Sequence, residues 1–232
     1  WHEKQKLLKL CFPVDLMATR AASETQFGHV FRPTHANTSW DAAKFETCAH
    51  RWVHVDEGGF GIAVTNDATY GHDITRVAQD GMHPYTAIRQ SLLRSALFPD
   101  PRADEGVHTF TSTIRVGATI EDAVISGFRT NLGTREILGD HGAEPLIAID
   151  APGVVVESIK LAEDRSGDVV VRLYEALGRR TRAGVRANFA SRRTYQVDLL
   201  EREIGDEKTP LALDETTLNL RPFQIVTLRF AR

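Results

Sequence analysis

Short runs of alternating apolar residues, separated by turn-forming residues, recur along most of the chain and restrict it to an all-β fold. In the segment "FGIAVTN", Phe60, Ile62 and Val64 fall on one face of a strand, because successive side chains of a strand point to opposite faces. The closing segment "RPFQIVTLRFAR" shows the same alternation. Regularly spaced short runs of this kind are typical of a β-sandwich.

Other segments add strands and one helix. "KLLKLCF", which ends at Pro13, and "VHTFTSTIRV" alternate like the first run, and "VVVESIKLAEDRSGDVVVRLYEAL" predicts a hairpin that turns at Ser166 and Gly167. In "TIEDAVISGFRTN" the apolar residues recur every four positions, and Thr119 followed by Asp122 resembles a helix N-terminal cap. The sequence therefore predicts many strands with one short helix.

The stretch "LGDHGAEPLIAIDAPG" is rich in Gly and Pro and separates two blocks of predicted strands. We therefore predict two domains, a β-sandwich over residues 1–140 and a smaller C-terminal β-sandwich over residues 141–232.

Composition excludes several classes of protein. The formal net charge is −3, so no basic face is indicated and nucleic acid is not an expected partner. No run approaches the ~18 apolar residues of a membrane span, and the start "WHEKQKLLKL" lacks the apolar core of a signal peptide. We expect a cytoplasmic protein with no membrane partner, in which Cys11 and Cys48 are buried reduced thiols. The first residue is Trp1 rather than Met, which predicts that the chain begins partway through a longer polypeptide.

The segment "NDATYGHD" gathers polar residues directly after a predicted strand. Its candidates are Asn66, Asp67, Tyr70, His72 and Asp73. Adjacent strand residues point to opposite faces, so His72 and Asp73 are poorly placed to hold one metal ion together. The two readings left open are a sugar-contacting loop and an Asx turn in which Asn66 and Asp67 cap the backbone.

The segment "RPTHANTSWDAAKFETCAHRW" reads as a loop that combines aromatic, carboxylate, amide and arginine side chains. Its candidates are His35, Asn37, Trp40, Asp41, Glu46, His50, Arg51 and Trp52. Aromatic faces stack on sugar rings, and carboxylate and arginine groups bond to sugar hydroxyls. In the alternative reading Trp40 and Trp52 are core residues, and Arg51 pairs with Asp41 or Glu46.

The segment "SLLRSALFPDPRADEGVHTF" is an acidic loop. Asp100, Asp104 and Glu105 are candidates for a pair of carboxylates in acid–base catalysis, although acidic loops are commonly just solvated. The sequence contains no G-x-S-x-G, H-E-x-x-H, C-x-x-C, P-loop or dinucleotide motif, so it offers no complete catalytic set.

Taken in order, these segments resemble a known family. "WHEKQKLLKLCFP", "RPTHANTSWDAAKFE", "HRWVHVDEGGFGIAVTNDATYGHD", "SLLRSALFPDPRADEGVHTF" and "RLYEALG…DLLE…LRPFQIVTLRF" are similar to the C-terminal half of the α-mannosidases of glycoside hydrolase family 38, of the cytosolic, class II type. The resemblance covers nearly the whole chain. It implies part of a mutarotase-like supersandwich, followed by the terminal β-sandwich.

The resemblance implies an incomplete enzyme. Members are retaining exo-α-mannosidases whose nucleophilic Asp and zinc ligands, a His-x-Asp pair with a further Asp and His, belong to an N-terminal α/β domain. This chain matches none of that domain, and His72-Asp73 lacks the intervening residue of the zinc motif. We therefore expect no catalytic or metal residues and no cofactor here, and a chain that is inactive when isolated. The expected partners are the N-terminal catalytic domain and mannose oligosaccharides.

The resemblance also suggests which residues reach substrate at the rim of the active-site cleft. The predicted sugar contacts are Asn66, Asp67, Tyr70, His50 and Arg51. Exposed apolar surface, covered by the absent domains or by self-association into a homo-oligomer, is expected as well. Two alternatives stay open. One is a stand-alone carbohydrate-binding or scaffolding module, and the other is a mutarotase-like enzyme that pairs Glu46 with His35, His50 or His108.

Overall fold

The computed structural model describes residues 1–78, 81–139, 142, 144–204 and 216–232. The chain divides into two compact units, Trp1–Thr134 and Arg135–Arg232. The strands and turns confirm the all-β fold class. The predicted domain boundary at residues 140 and 141 lies outside the described residues and stays a prediction.

The first unit contains two antiparallel sheets. Its strands are β1 (Leu8–Val14), β2 (Arg20–Thr25), β3 (Gly28–Pro33), β4 (Thr47–Cys48), β5 (Trp52–Glu57), β6 (Phe60–Asn66), β7 (Gly71–Val77), β8 (Tyr85–Leu93) and β9 (Ser112–Val116). One sheet has the order β1-β8-β7-β4, and the other has the order β3-β2-β5-β6-β9. The two sheets share one apolar core, to which Val14 and Ile88 contribute from the first and Val53 and Val64 from the second. This arrangement is a sandwich.

Two helices are described, α1 (Ser39–Ala43) and α2 (Ile120–Asn131). The predicted cap of α2 is confirmed, because the Thr119 hydroxyl accepts from the Asp122 N–H and the Asp122 carboxylate accepts from the Thr119 N–H. The prediction of a loop throughout residues 32–52 is wrong over α1, which begins with the same kind of cap at Thr38. The described residues therefore contain one short helix more than the sequence indicated.

The second unit is a smaller sandwich. Its strands are β10 (Ile147–Ile149), β11 (Val154–Leu161), β12 (Val169–Glu175), β13 (Thr181–Ala187), β14 (Arg193–Val197), β15 (Thr216–Leu220) and β16 (Ile225–Ala231). The sheet orders are β10-β13-β15 and β11-β12-β16-β14. The predicted hairpin is confirmed as β11 and β12, and Val171 of β12 and Leu228 of β16 lie in the core.

Two local predictions are wrong. Cys11 and Cys48 are free but exposed, because both lie on strands whose outward faces the sequence pattern does not identify. The run at residues 107–116 forms a strand only from Ser112, and Val107 is 99% exposed. No helix within the described residues is both long and apolar enough to cross a membrane.

Candidate functional site

The five predicted sugar contacts lie together in the first unit. His50 and Arg51 precede β5, and Asn66 ends β6 while Asp67 and Tyr70 belong to the loop that leads into β7. All five line one small surface pocket of about 60 Å³, here called the Tyr70 pocket. Its volume is that of about two water molecules, at roughly 30 Å³ each. The pocket can therefore receive hydroxyl groups at the edge of a ligand but not a whole sugar ring.

A buried ion pair fixes the floor of the Tyr70 pocket. Glu24 of β2 is 3% exposed, and its carboxylate accepts from the Arg51 backbone N–H at 2.6 Å, from Arg51 Nε at 3.0 Å and from a terminal nitrogen at 2.7 Å. The Arg51 guanidinium also lies 3.9 Å from the ring centroid of Phe128 on α2. These contacts satisfy the Arg51 guanidinium and hold the start of β5 in place.

Asn66 is also occupied by the protein itself. Its side-chain oxygen accepts from the N–H groups of Ala68 at 3.1 Å and Thr69 at 2.8 Å, and its side-chain nitrogen donates to the His50 carbonyl at 3.2 Å. The Asx turn considered as an alternative is therefore present at Asn66. Asn131 of α2 closes the turn, since its side-chain nitrogen donates to the Asn66 carbonyl at 2.9 Å.

Asp67 contributes an exposed negative charge. One carboxylate oxygen accepts from the Thr111 N–H at 3.0 Å, and the Asp67 N–H donates to the Thr111 carbonyl at 3.2 Å. This hydrogen bonding from Thr111 lowers the pKa of Asp67 below its ordinary value. Asp67 is therefore an ionised acceptor near neutral pH.

An exposed aromatic pair stands beside this carboxylate. The rings of His50 and Tyr70 stack with centroids 5.5 Å apart and planes 30° apart, and Tyr70 is 58% exposed. The pair is held from below, because the His50 N–H donates to the Glu24 carbonyl at 3.0 Å and the Ala49 N–H donates to the Tyr70 carbonyl at 2.9 Å. An aromatic face next to a carboxylate matches the apolar face and the hydroxyls of a sugar.

The metal hypothesis gains no support at His72 and Asp73. Asp73 accepts from Lys9 at 2.5 Å and from Arg89 Nε at 2.6 Å, so two cations already occupy its carboxylate. Burial lowers the pKa of His72, and a backbone carbonyl lies 3.1 Å from its Nδ1. Within the described ranges no three His, Cys, Asp or Glu side chains gather to hold an ion. Zinc therefore does not fit these residues.

The structure places the candidates of the segment at residues 32–52 in different surroundings. Trp52 is fully buried, as the core alternative predicted, whereas Trp40 is 79% exposed, so that part of the alternative is wrong. Arg51 pairs with Glu24 rather than with Asp41 or Glu46, since strand β2 brings Glu24 beside it. His35 lies in a different pocket.

The carboxylates of the acidic loop, residues 91–110, bind nearby backbone N–H groups and cations. The Asp104 carboxylate accepts from the N–H groups of Arg94 at 2.8 Å and Ser95 at 2.7 Å, and these bonds lower the pKa of Asp104. Bonding from Lys4 lowers the pKa of Glu105 as well. Carboxylates held in their ionised form in this way are poorly suited to act as a catalytic acid.

The mutarotase-like pairing is not formed among the described contacts. Glu46 pairs with Lys9 at 3.3 Å, while the His35 ring lies 3.7 Å from Asp41. His50 lies 3.9 Å from Glu24, and the His108 ring contacts a backbone carbonyl. The three histidines therefore have partners other than Glu46.

Sequence reasoning missed Glu24, Thr111 and Asn131, although they shape the Tyr70 pocket. Each lies far along the chain from the residue it holds, and no local motif announces such a contact. Three tertiary features place them: the register of β2 against β5 places Glu24, the pairing of β6 with β9 places Thr111, and the packing of α2 on the sheet places Asn131.

Sequence comparison matches each unit to a described family. "Glycosyl hydrolases family 38 C-terminal domain" matches residues 1–102, and "Glycosyl hydrolases family 38 C-terminal beta sandwich domain" matches residues 153–228. The first match falls in the first compact unit and the second falls in the second.

Individual relatives match the chain from end to end. It is 34% identical to alpha-mannosidase 2C1 of Homo sapiens over an alignment 237 positions long, which covers 98% of this chain and 22% of the human protein. It is 33% identical to the alpha-mannosidase of Saccharomyces cerevisiae over an alignment 254 positions long, which covers 99% of this chain and 23% of the yeast protein. The chain thus spans about a fifth of the length of these curated relatives.

A solved structure shares the fold. The crystal structure of an alpha-mannosidase from Enterococcus faecalis V583 superposes with a TM-score of 0.70, and covers 97% of this chain and 26% of the bacterial chain at 16% identity.

Proposed function

The chain belongs to the C-terminal region of glycosyl hydrolase family 38, and we propose that it is the non-catalytic C-terminal portion of a retaining, zinc-dependent exo-α-mannosidase. The observation that carries the proposal is the end-to-end match, at 33–34% identity, to proteins named alpha-mannosidase. In this proposal the catalytic nucleophile and zinc belong to an N-terminal domain, and this chain supplies scaffold and a few contacts to terminal α-mannosides.

The contacts of the Tyr70 pocket support a division of labour among the five predicted residues. The polar groups of Arg51 and Asn66 are satisfied by the protein, so we assign them to positioning. Tyr70, His50 and Asp67 are at least partly accessible, so we assign them to the sugar. In the whole protein these three residues form the rim of the substrate cleft.

Exposed apolar residues support docking of a catalytic domain on the first unit. Leu7, Leu8 and Leu10, on and beside the edge strand β1, are 37–47% exposed. Because these side chains are already more than half buried, covering the rest of each one against a neighbour is worth roughly 1 kcal/mol. We propose that the N-terminal domain covers this patch and that self-association covers it in the isolated chain.

A cytoplasmic location is part of the proposal. Cys11 and Cys48 are both free, although each is exposed where an oxidising compartment would reach it. Unpaired surface cysteines are typical of reducing compartments.

Kinetics on the longer protein that carries this chain test the rim assignment. Tyr70→Ala should raise the KM for an aryl α-mannoside by about threefold to tenfold, because one aromatic contact is lost. Phe60→Ala is the matched control, since Phe60 is a similarly exposed aromatic residue, 48% exposed, outside the pocket. Equal KM values for both variants and the parent would remove Tyr70 from the substrate contacts.

A stand-alone carbohydrate-binding module is the second candidate, and the exposed His50 and Tyr70 pair is the observation in its favour. Calorimetric titration of the isolated chain with mannose oligomers separates the two candidates. A free-standing module retains measurable affinity for the oligomers without any other domain. A chain that only contributes to the rim of a cleft loses this affinity when it is isolated.

A further inference from the structure

A second pocket in the first unit shares no lining residue with the Tyr70 pocket. This cavity, here called the His35 pocket, has a volume of about 200 Å³ and is lined by β2, β3, β7 and β8 together with α1 and the residues that follow it. At roughly 30 Å³ per water molecule, the volume corresponds to about seven waters. It is thus several times the size of the Tyr70 pocket and suits one small molecule.

Three buried polar atoms at the His35 pocket lack a hydrogen-bond partner within the described part of the chain. They are Ser23 Oγ, Arg32 Nε and His35 Nδ1, the last of which lies 3.7 Å from the Asp41 carboxylate, beyond hydrogen-bond distance. Ser23 itself is only 1% exposed. A buried polar atom without a partner costs about 1–3 kcal/mol, so three at one cavity indicate a polar occupant.

The remaining polar groups of the His35 pocket are largely satisfied. Asp73 is paired with Arg89, and one oxygen of Asp41 accepts from the Thr38 hydroxyl at 2.8 Å. The second Asp41 oxygen has no hydrogen-bond donor among the described contacts. The pocket therefore offers several donors and one carboxylate oxygen to an occupant.

The lining carries charges of both signs. Asp41 and Asp73 line the pocket together with Arg32, Lys44 and Arg89, and Asp73 is already paired with Arg89, so competition with inorganic phosphate is part of the test below. Pro33, Phe45 and Ile74 add an apolar wall. A ligand with hydroxyls that both donate and accept, and with an apolar face, satisfies all of these groups at once.

We infer that the His35 pocket is a second saccharide site, which binds one neutral hexopyranose unit through Ser23, Arg32, His35 and Asp41. The ring hydroxyls accept from Ser23 and Arg32 and donate to Asp41, while Phe45 and Pro33 cover the apolar face of the ring. The site goes beyond the proposed function, because that function assigns no saccharide to the His35 pocket.

Titration of the 232-residue chain with methyl α-mannopyranoside, followed by NMR of the backbone amides, tests the inference. The probe should shift the amides of β2, β3 and α1 that line the His35 pocket. Ser23→Ala should weaken this binding by about threefold to tenfold, as expected for one lost hydrogen bond. The free energy of unfolding of the Ser23→Ala variant should not fall, because the Ser23 hydroxyl has no partner to lose among the described residues.

Ser91→Ala is the matched control. Ser91 Oγ is likewise buried without a partner among the described residues, but Ser91 does not line the pocket, so its replacement should leave affinity unchanged. Arg32→Lys is the second variant, because it keeps the charge and removes the Nε donor, and it should weaken binding like Ser23→Ala.

Three results would overturn the inference. They are the absence of amide shifts at saturating probe, equal affinity of Ser23→Ala and Ser91→Ala, and displacement of the sugar from these residues by inorganic phosphate. Hydrolysis of aryl α-mannoside by the longer protein is measured independently. If hydrolysis is found but the amides do not shift, the saccharide site in the His35 pocket is refuted and the proposed function stands.

Discussion

Replacement of Glu24 by Gln should destabilise the first unit strongly, because it removes the charge that compensates Arg51. The Glu24 side chain is 3% exposed and that of Arg51 is 15% exposed, so solvent screens the pair poorly. Removal of one partner from a buried pair costs about 3–5 kcal/mol. With a urea m-value of about 2 kcal/mol/M, the unfolding midpoint should fall by about 1.5–2.5 M.

Tryptophan fluorescence measures this midpoint for the first unit alone. Trp1, Trp40 and Trp52 all belong to Trp1–Thr134, and Trp52 is fully buried. The fluorescence transition therefore reports the unit that contains Glu24, and the other unit contributes no tryptophan signal.

Glu105→Gln is the control for the Glu24 prediction. Glu105 also pairs with a cation, Lys4, but this pair is accessible to water, so its loss should leave the urea midpoint unchanged. If Glu24→Gln lowered the midpoint no more than this control, the ion pair would not fix the Tyr70 pocket and the positioning role of Arg51 would be refuted.

The remaining predictions concern three other positions. Glu175→Ala should cost about 3 kcal/mol and speed hydrogen exchange of nearby amides, because its fully buried carboxylate accepts from four backbone N–H groups; exchange rates equal to wild type would contradict this. Gly127→Ala in α2 should destabilise by about 1–3 kcal/mol rather than stabilise, since a Cβ would lie 2.8 Å from the buried Trp52 ring; a raised urea midpoint would contradict it. Bonding from Arg229 lowers the pKa of Asp164 from 3.8 to about 2, so its stabilising contribution is present above pH 3.8 and is lost as the pH falls toward 2. Carboxyl NMR that shows an Asp164 midpoint near 3.8 would contradict this last prediction.

Local sequence signals predicted the elements that local interactions determine. The β11–β12 hairpin follows from two apolar runs around a Ser166-Gly167 turn, and the cap of α2 follows from the spacing of Thr119 and Asp122. The same spacing occurs at Thr38 and Asp41 and caps α1, but the prediction of a loop rested on the preceding Pro33 and polar run and did not use it.

Contacts set by tertiary structure could not be predicted in this way. The partner of Arg51 is Glu24, 27 residues away, and it depends on which strands become neighbours. Exposure of Cys11 and Cys48 depends on which sheet face is covered, a fact that alternation alone does not contain. In the sequence nothing distinguishes Ser23 from an ordinary strand residue. Only in the structure do two sheets and α1 enclose a cavity beside it.

Turnover of an aryl α-mannoside by two proteins, the 232-residue chain and the longer protein that carries it, tests the central claim most directly. We expect hydrolysis with retention by the longer protein, its loss on chelation of zinc, and no turnover by the chain alone. Hydrolysis by the isolated chain at the rate of the longer protein, or none by either, would contradict it.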